Sequence, residues 1–189
     1  IQINGRWRTH VLYAALRGSA WANNSWNGMN SYLAANQDFY TLAQQAGLEH
    51  MLFDIEPAYV EEPRGRWKGQ AEFVARPKST QEVSALVGLC HRHNVAIIPY
   101  GGGTGLVGGQ LAEDGVIPLI LSLEKMTKIR AVFPEENVMI ADAGAILSDI
   151  QAAAENVDRL FPLSLASGGS ARIGGCLATN AGGVNGLQR

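Results

Sequence analysis

Six glycines fall within the nine residues from Gly101 to Gly109, in the stretch Pro99-Tyr100-Gly101-Gly102-Gly103-Thr104-Gly105-Leu106-Val107-Gly108-Gly109-Gln110. An ordinary turn needs one or two. Glycines this dense carry no side chains to hold a ligand off the backbone, and they reach positive φ without steric cost. Several N–H groups can then turn toward one anion and form a concave nest suited to a diphosphate. Thr104 adds a hydroxyl able to donate to a phosphate oxygen. The stretch follows an apolar β-type run, Val95-Ala96-Ile97-Ile98, and a helix leads into that run. The first expectation is therefore a phosphate-bearing cofactor.

Two familiar phosphate motifs do not fit. Gly103, Gly105 and Gly108 match the spacing of the dinucleotide fingerprint, but that fingerprint needs a helix opening at the loop. Here Gly109 follows, then a turn at Glu113-Asp114-Gly115, then Val116-Ile117-Pro118-Leu119-Ile120-Leu121. Pro118 and its β-branched neighbours do not continue a helix. A Walker loop would close with Gly-Lys-Ser/Thr, which is missing.

A chain of 189 residues, 47% hydrophobic and 17% charged, has the size and make-up of one globular domain with a sizeable core. Net charge is −2 and Lys and Arg are scattered, so no basic stripe points to nucleic acid. The apolar runs are strand length, too short to span a bilayer. Cys90 lies on the apolar side of a helix and Cys176 in a glycine-rich loop, a usage that fits a reducing cytoplasm. The chain opens on Ile1 and stops at Arg189 just after a second glycine cluster, so both ends are expected to be cut.

Residues 1–36 hold Trp7, Trp21 and Trp26, with little periodicity, and Met29 is a candidate internal start. They read as an extension, either outside the packed domain or docked on it. Phe39, Leu42, Ala43 and Ala46 recur at helical spacing, with Gly47 suited to the C-cap. Phe53 to Gly69 is polar and turn-rich. There Arg64, Arg66 and Lys68 are either a solvated face or the entrance to a cofactor. A short strand, 71–75, ends at Arg76-Pro77. Ser79 and Glu82 then make a capping box, and Val83, Leu86, Val87 and Cys90 form one helical stripe. Asn94 suits the left-handed end of that helix. His91 and His93 point to different faces and lack companion ligands, so no metal site is expected. Strands near 116–123 and 137–143 follow, with Met126 to Phe133 between them, then a helix near 147–157 carrying Ile146, Ile150, Ala153 and Ala154 on its apolar side. The order β-α-β-loop-β-β-α is an α+β arrangement with one crossover.

The last stretch repeats the chemistry of the first. Phe161 to Gly183 is rich in small residues, with hydroxyls at Ser167, Ser170 and Thr179 and an amide at Asn180. Ile173, Leu177 and Ala178 punctuate it as a packed element would, unlike a plain linker. Such a segment can pass beneath a flat ring or a diphosphate.

Pro99–Gln110 and Ser170–Gly183 together resemble the two flavin-diphosphate segments of the FAD-linked oxidoreductases of the vanillyl-alcohol oxidase/PCMH type. Gly-Gly-Gly-Thr-Gly-Leu-Val-Gly-Gly and Ile-Gly-Gly-Cys-Leu-Ala-Thr-Asn-Ala-Gly-Gly are most similar to the D-2-hydroxyacid dehydrogenases, the D-lactate, D-2-hydroxyglutarate and glycolate oxidase subunit groups. The similarity runs from about Glu61 through Arg189 and includes Arg76-Pro77-Lys78-Ser79-Thr80-Gln81-Glu82-Val83.

The resemblance implies a PCMH-type FAD-binding domain over 71–189, incomplete at its C-terminus, preceded by a helix and connecting segment over 37–70. It comprises an N-terminal βαβ subdomain and the first part of a second. It also implies that Gly101, Gly102, Gly103, Thr104 and Gly105 donate to the pyrophosphate, with Leu106 packing nearby. Pro162, Ser170, Gly174, Gly175, Thr179, Asn180, Gly182 and Gly183 would line the other side of FAD. Relatives that link flavin covalently often carry His in the first loop. Thr104 stands there instead, so the FAD is expected to be non-covalent. Many relatives carry Asn at Cys176, and any flavin contact of that Asn is lost.

The family's substrate domain, with its metal-holding histidines and carboxylate, would follow Arg189, so no catalytic residue and no metal ligand is assigned in this chain. The implied activity of the complete protein is oxidation of a small D-2-hydroxy acid to a 2-oxo acid by hydride transfer to flavin N5, with a separate electron acceptor. This chain alone is expected to be inactive and poorly soluble, with unpaired strand edges. The alternatives are a flavin enzyme of the same superfamily for another alcohol or sugar, a non-enzymatic nucleotide-binding module, and a structural domain with vestigial loops.

Overall fold

The computed structural model describes residues 32–112 and 115–183, together with the backbone pairing of β1 (Gln2–Ile3) with β2 (Arg6–Trp7). Trp21, Trp26, Met29 and the Glu113-Asp114 turn lie outside the described residues.

The packed body begins earlier than residue 37. Leu33 N–H donates to Asn94 O at 3.1 Å, Ala35 N–H donates to Ile117 O at 2.9 Å, and Ala35 is fully buried. Helix α1 (Gln37–Gln45) starts at Asn36, whose side chain accepts from the Asp38 amide at 3.0 Å. It ends in a Schellman closure at Gly47, which takes φ +71, with Leu48 N–H bonded to Ala43 O at 2.8 Å. Phe39 and Ala43 form its buried face.

Four strands make the main sheet: β3 (Leu52–Asp54), β4 (Phe73–Ala75), β5 (Ile97–Tyr100) and β6 (Leu119–Ser122), in the order β3-β4-β6-β5. β4, β6 and β5 run parallel, and β3 is antiparallel to β4. Helix α2 (Thr80–Arg92) carries the chain from β4 to β5 and leaves the slot between them for β6. With neighbours on both edges and cover on both faces, β6 is buried throughout, which is why it reads as an unbroken apolar run. Leu119 and Leu121 face a core shared with Phe39, Leu86, Leu89 and Cys90, whereas Ile120 packs with Val74 and Tyr59 on the opposite face.

Ser79 caps α2 by accepting from Glu82 N–H at 3.2 Å. The Glu82 carboxylate accepts from Lys78 N–H at 2.6 Å, one residue before the position a standard capping box uses. The buried stripe is Leu86, Leu89 and Cys90, with Val83 and Val87 half-buried. Asn94 ends the turn at φ 53.

Burial pushes the Cys90 thiol from 9.0 up to about 12. Below pH 9 the thiol is protonated in both folded and unfolded chains. Between pH 9 and 12 only the unfolded chain loses the proton, so folding stability falls with pH there by up to about 1.4 kcal/mol per unit. Cys90→Ala is expected to flatten this alkaline slope in melts at pH 8 to 10.5, whatever it does to the absolute midpoint.

The second unit is an antiparallel hairpin, β7 (Ile129–Phe133) and β8 (Val138–Ala141), turned by a 3-10 segment at Pro134–Glu136 and by Asn137 at φ 51. Helix α3 (Leu147–Glu155) lays Ile150 against Ile129, Met139 and Ala141. A six-residue helix, α4 (Ile173–Ala178), follows within the second glycine cluster. Four strands beyond those expected are present: β1 and β2 within residues 1–36, β3, which begins at Leu52 and runs into the polar 53–69 stretch, and β7, between the two strands expected at 116–123 and 137–143.

Candidate cofactor site

The glycine loop leaves the C-terminal end of β5, at the edge of the sheet where β4 and β6 also end. From Gly102 to Gln110 no backbone N–H donates to a described backbone group; Leu111 N–H resumes, donating to Gly108 O at 3.0 Å. The Gln110 side chain donates to Gly105 O at 3.0 Å and ties the loop across its width. A run of uncommitted amides braced by a side chain is what an anion nest requires. Gly103 and Gly108 take positive φ, at +68° and +72°. Leu106 is 40% exposed.

The two glycine segments meet backbone to backbone. A Cβ on Gly102 would overlap the Ser170 carbonyl oxygen and come within 3.3 Å of Ala171 Cα. A Cβ on Gly101 would sit in ordinary contact, 3.7 Å from Gly175 Cα and 3.9 Å from Arg172 Cβ. Glycine is needed at 102 so that the second segment can close on the first.

Of the residues expected to line the second side, Ser170 and Gly175 lie at this seam. Gly174 faces inward: its N–H donates to Ala143 O at 2.8 Å, and a Cβ would press on Ala143. Thr179 Oγ1 donates to Gly175 O at 2.9 Å. Pro162 and Asn180 share an apolar cleft of about 260 Å³ with Phe161, Cys176 and Leu177. A Cβ on Gly183, at φ +58, would overlap Ser164 O, whereas one on Gly182 would meet open space.

Cys176 is not in a loop. It lies in α4, buried against Leu147, Ala171 and Leu163, and burial raises its thiol pKa. Ile173 and Cys176 are the packed pair of that helix, one turn apart, whereas Leu177 is 57% exposed.

Beneath the loop lies a polar cluster that the sequence reading did not find. Tyr59 OH donates to Glu124 Oε2 at 2.7 Å, and the Ser122 hydroxyl donates to the same oxygen at 3.2 Å. Arg76 Nε stands 3.2 Å from Glu124 Oε1, and its Nη2 pairs with Glu56. Burial, and then the hydrogen bond to Glu124, pushes the Tyr59 phenol up to about 12. Tyr59 packs at a tilt on Tyr100, ring centroids 4.7 Å apart, and the Tyr100 hydroxyl donates to Ala58 O at 2.9 Å. Arg76 showed itself only as a strand end before proline, and its partners are 20 and 48 residues away in sequence.

The Tyr100 hydroxyl occupies the place a Cβ on Gly103 would take. Gly103→Ala is therefore expected to lower stability by about 1–2 kcal/mol through positive-φ strain, and by more through that overlap. Adding Tyr100→Phe should return part of the loss, read as a urea midpoint.

Arg64, Arg66 and Lys68 are exposed, with Lys68 Nζ 3.1 Å from Glu61. Their segment borders the far half of the loop, since a Cβ on Gly108 would lie 3.6 Å from the Trp67 ring. Among the described residues no group of three or more His, Cys, Asp or Glu side chains is placed to hold a metal. No described helix is long and apolar enough to cross a membrane.

The uncommitted amides and the glycine-lined seam fit an anionic diphosphate, and comparison with known proteins agrees. The family described as FAD binding domain matches residues 71–189. A mitochondrial D-2-hydroxyglutarate dehydrogenase of Bos taurus is 35% identical over 137 residues, covering 70% of this chain and 25% of that protein. A D-2-hydroxyglutarate–pyruvate transhydrogenase of Saccharomyces cerevisiae is 35% identical over 123 residues, covering 65% and 24%. The chain thus spans about a quarter of the length of these relatives. Among solved structures, an alkyldihydroxyacetonephosphate synthase superposes with a TM-score of 0.65 at 22% identity, over 81% of this chain and 30% of that one. The chain belongs to the FAD binding domain family, with the PCMH-type α+β fold and FAD as its cofactor.

Proposed function

We propose that the full-length protein is a dehydrogenase that oxidises a D-2-hydroxy acid to the 2-oxo acid and holds its FAD without a covalent link. The observation that carries the cofactor half is the closure of Gly101 and Gly102 onto Ser170–Gly175 beside a run of uncommitted amides. The substrate half is supported by the names of the bovine and yeast relatives.

The chemistry a bound flavin would supply is that of a hydride acceptor for the substrate C2 carbon, with a separate electron acceptor needed for reoxidation. The residues of this chain bind and orient. Amides of Gly102–Gly105 would donate to diphosphate oxygens, and Thr104 would add its hydroxyl. Thr104 also leaves that loop position without an imidazole able to bond to the flavin. Gly101 and Gly175 keep both walls free of side chains, while Pro162 and Asn180 border an apolar cleft on the far side of α4. No acid–base group or metal ligand is assigned among the described residues of this chain. The compartment is a reducing one, cytoplasm or mitochondrion. Cys90 and Cys176 are free and buried, and the bovine relative is named as mitochondrial.

An anaerobic titration of purified full-length protein tests this. The protein should be yellow, and D-2-hydroxyglutarate or D-lactate should bleach the flavin band while the L-enantiomers leave it unchanged. A colourless protein indifferent to added FAD would favour a nucleotide-binding module. A yellow protein that no D-2-hydroxy acid bleaches would move the substrate to another alcohol or a sugar.

A further inference from the structure

Arg172 stands where the two glycine segments meet. Its Cβ faces Gly101, and its backbone bridges to Ile146 at the start of α3. Its guanidinium makes one hydrogen bond, from Nη1 to the Gly144 carbonyl at 2.8 Å. Its Nε is buried with no partner, and no carboxylate among the described residues pairs with it. The acids of the surrounding elements are committed elsewhere. Asp142 is held by Arg130 at 2.6 Å and by the Lys128 amide, and Glu124 is held by Arg76, Tyr59 and Ser122.

A half-buried cation with one neutral acceptor is an unfavourable arrangement in an isolated domain. It becomes favourable when an anion arrives. The loop amides contribute partial charges only, whereas the diphosphate of FAD carries formal negative charge. A guanidinium matches phosphate oxygens with paired, charge-assisted hydrogen bonds.

We propose that Arg172 is the counter-charge of the FAD diphosphate, reaching it across the seam between Gly101 and Gly175. This rests on the assignment of FAD to the seam, and it predicts that folding and cofactor affinity respond oppositely to loss of the charge. Removing the charge from the apoprotein relieves an unpaired buried group, whereas removing it from the complex leaves the diphosphate undercompensated.

The test uses full-length protein stripped of flavin, as wild type, Arg172→Met and Arg172→Lys, titrated with FAD and with riboflavin, which has no diphosphate. For Arg172→Met we expect FAD affinity to fall about tenfold or more and the salt dependence of binding to weaken. Riboflavin binding should be unchanged and the apoprotein melting midpoint equal to or above wild type. Arg172→Lys should keep most of the affinity. Wild-type FAD affinity in Arg172→Met would overturn the proposal. So would equal losses for FAD and riboflavin with a lowered apoprotein midpoint, which would mark Arg172 as a structural tie. Failure of the wild type to bind FAD would sink the cofactor assignment instead.

Discussion

A Gly102→Val variant of the full-length protein is expected to emerge colourless and to stay so after incubation with FAD. The first branch of the new side chain is already in collision, because a Cβ alone overlaps the Ser170 carbonyl. Overpacking against side chains costs about 1–3 kcal/mol. Here the obstacle is main chain on both sides, so the segments must part rather than repack, and the loss should lie at the upper end. Gly101→Ala is the control. Its Cβ meets Gly175 and Arg172 at ordinary contact distance, and the fold should hold. Flavin content read from the visible spectrum, beside a thermal melt, separates the two variants. Normal flavin occupancy in Gly102→Val would refute the closure.

The second large effect falls outside the residues matched by the family. Phe39→Ala should destabilise the protein by about 3–5 kcal/mol, the usual range for emptying a buried aromatic site. Phe39 has no exposed surface and packs in the core with Phe73, Leu86 and Leu119. The family match begins at residue 71, yet α1 covers the helical face of the main sheet. A chain begun after Gly69 is expected to leave that face open and to aggregate. A urea midpoint shift close to zero in Phe39→Ala would show that α1 is dispensable.

The site was legible in the sequence because its signal is compositional. Glycine density does not depend on knowing the partner strand, and the two dense segments are those that meet. What each glycine does was not legible. Gly102 and Gly174 are glycine because backbone approaches them, at Ser170 and Ala143, neighbours 68 and 31 residues away in sequence. The helices at 37–45 and 80–92 were readable from period and caps, and the helix at 147–155 from period alone, since those signals are local. β3 is three residues long, too short to display alternation, and it exists through pairing with β4. β7 carries Arg130 on its exposed side and a register shift between Ile129 and Ala131, which breaks the period of two. α4 contains Gly174 and Gly175, poor helix formers. It is held by Gly174 N–H to Ala143 O, by Ile173 N–H to Ala145 O, and by burial of Cys176, none of which a local reading includes.

Hydrogen exchange of the full-length protein with and without FAD measures the central claim directly. Amides of 102–110 and of 170–183 should slow together, at one FAD per chain, while Leu33–Gly47 remain unchanged. Slowing confined to one glycine segment, or absent from both, would contradict a cofactor held across their seam.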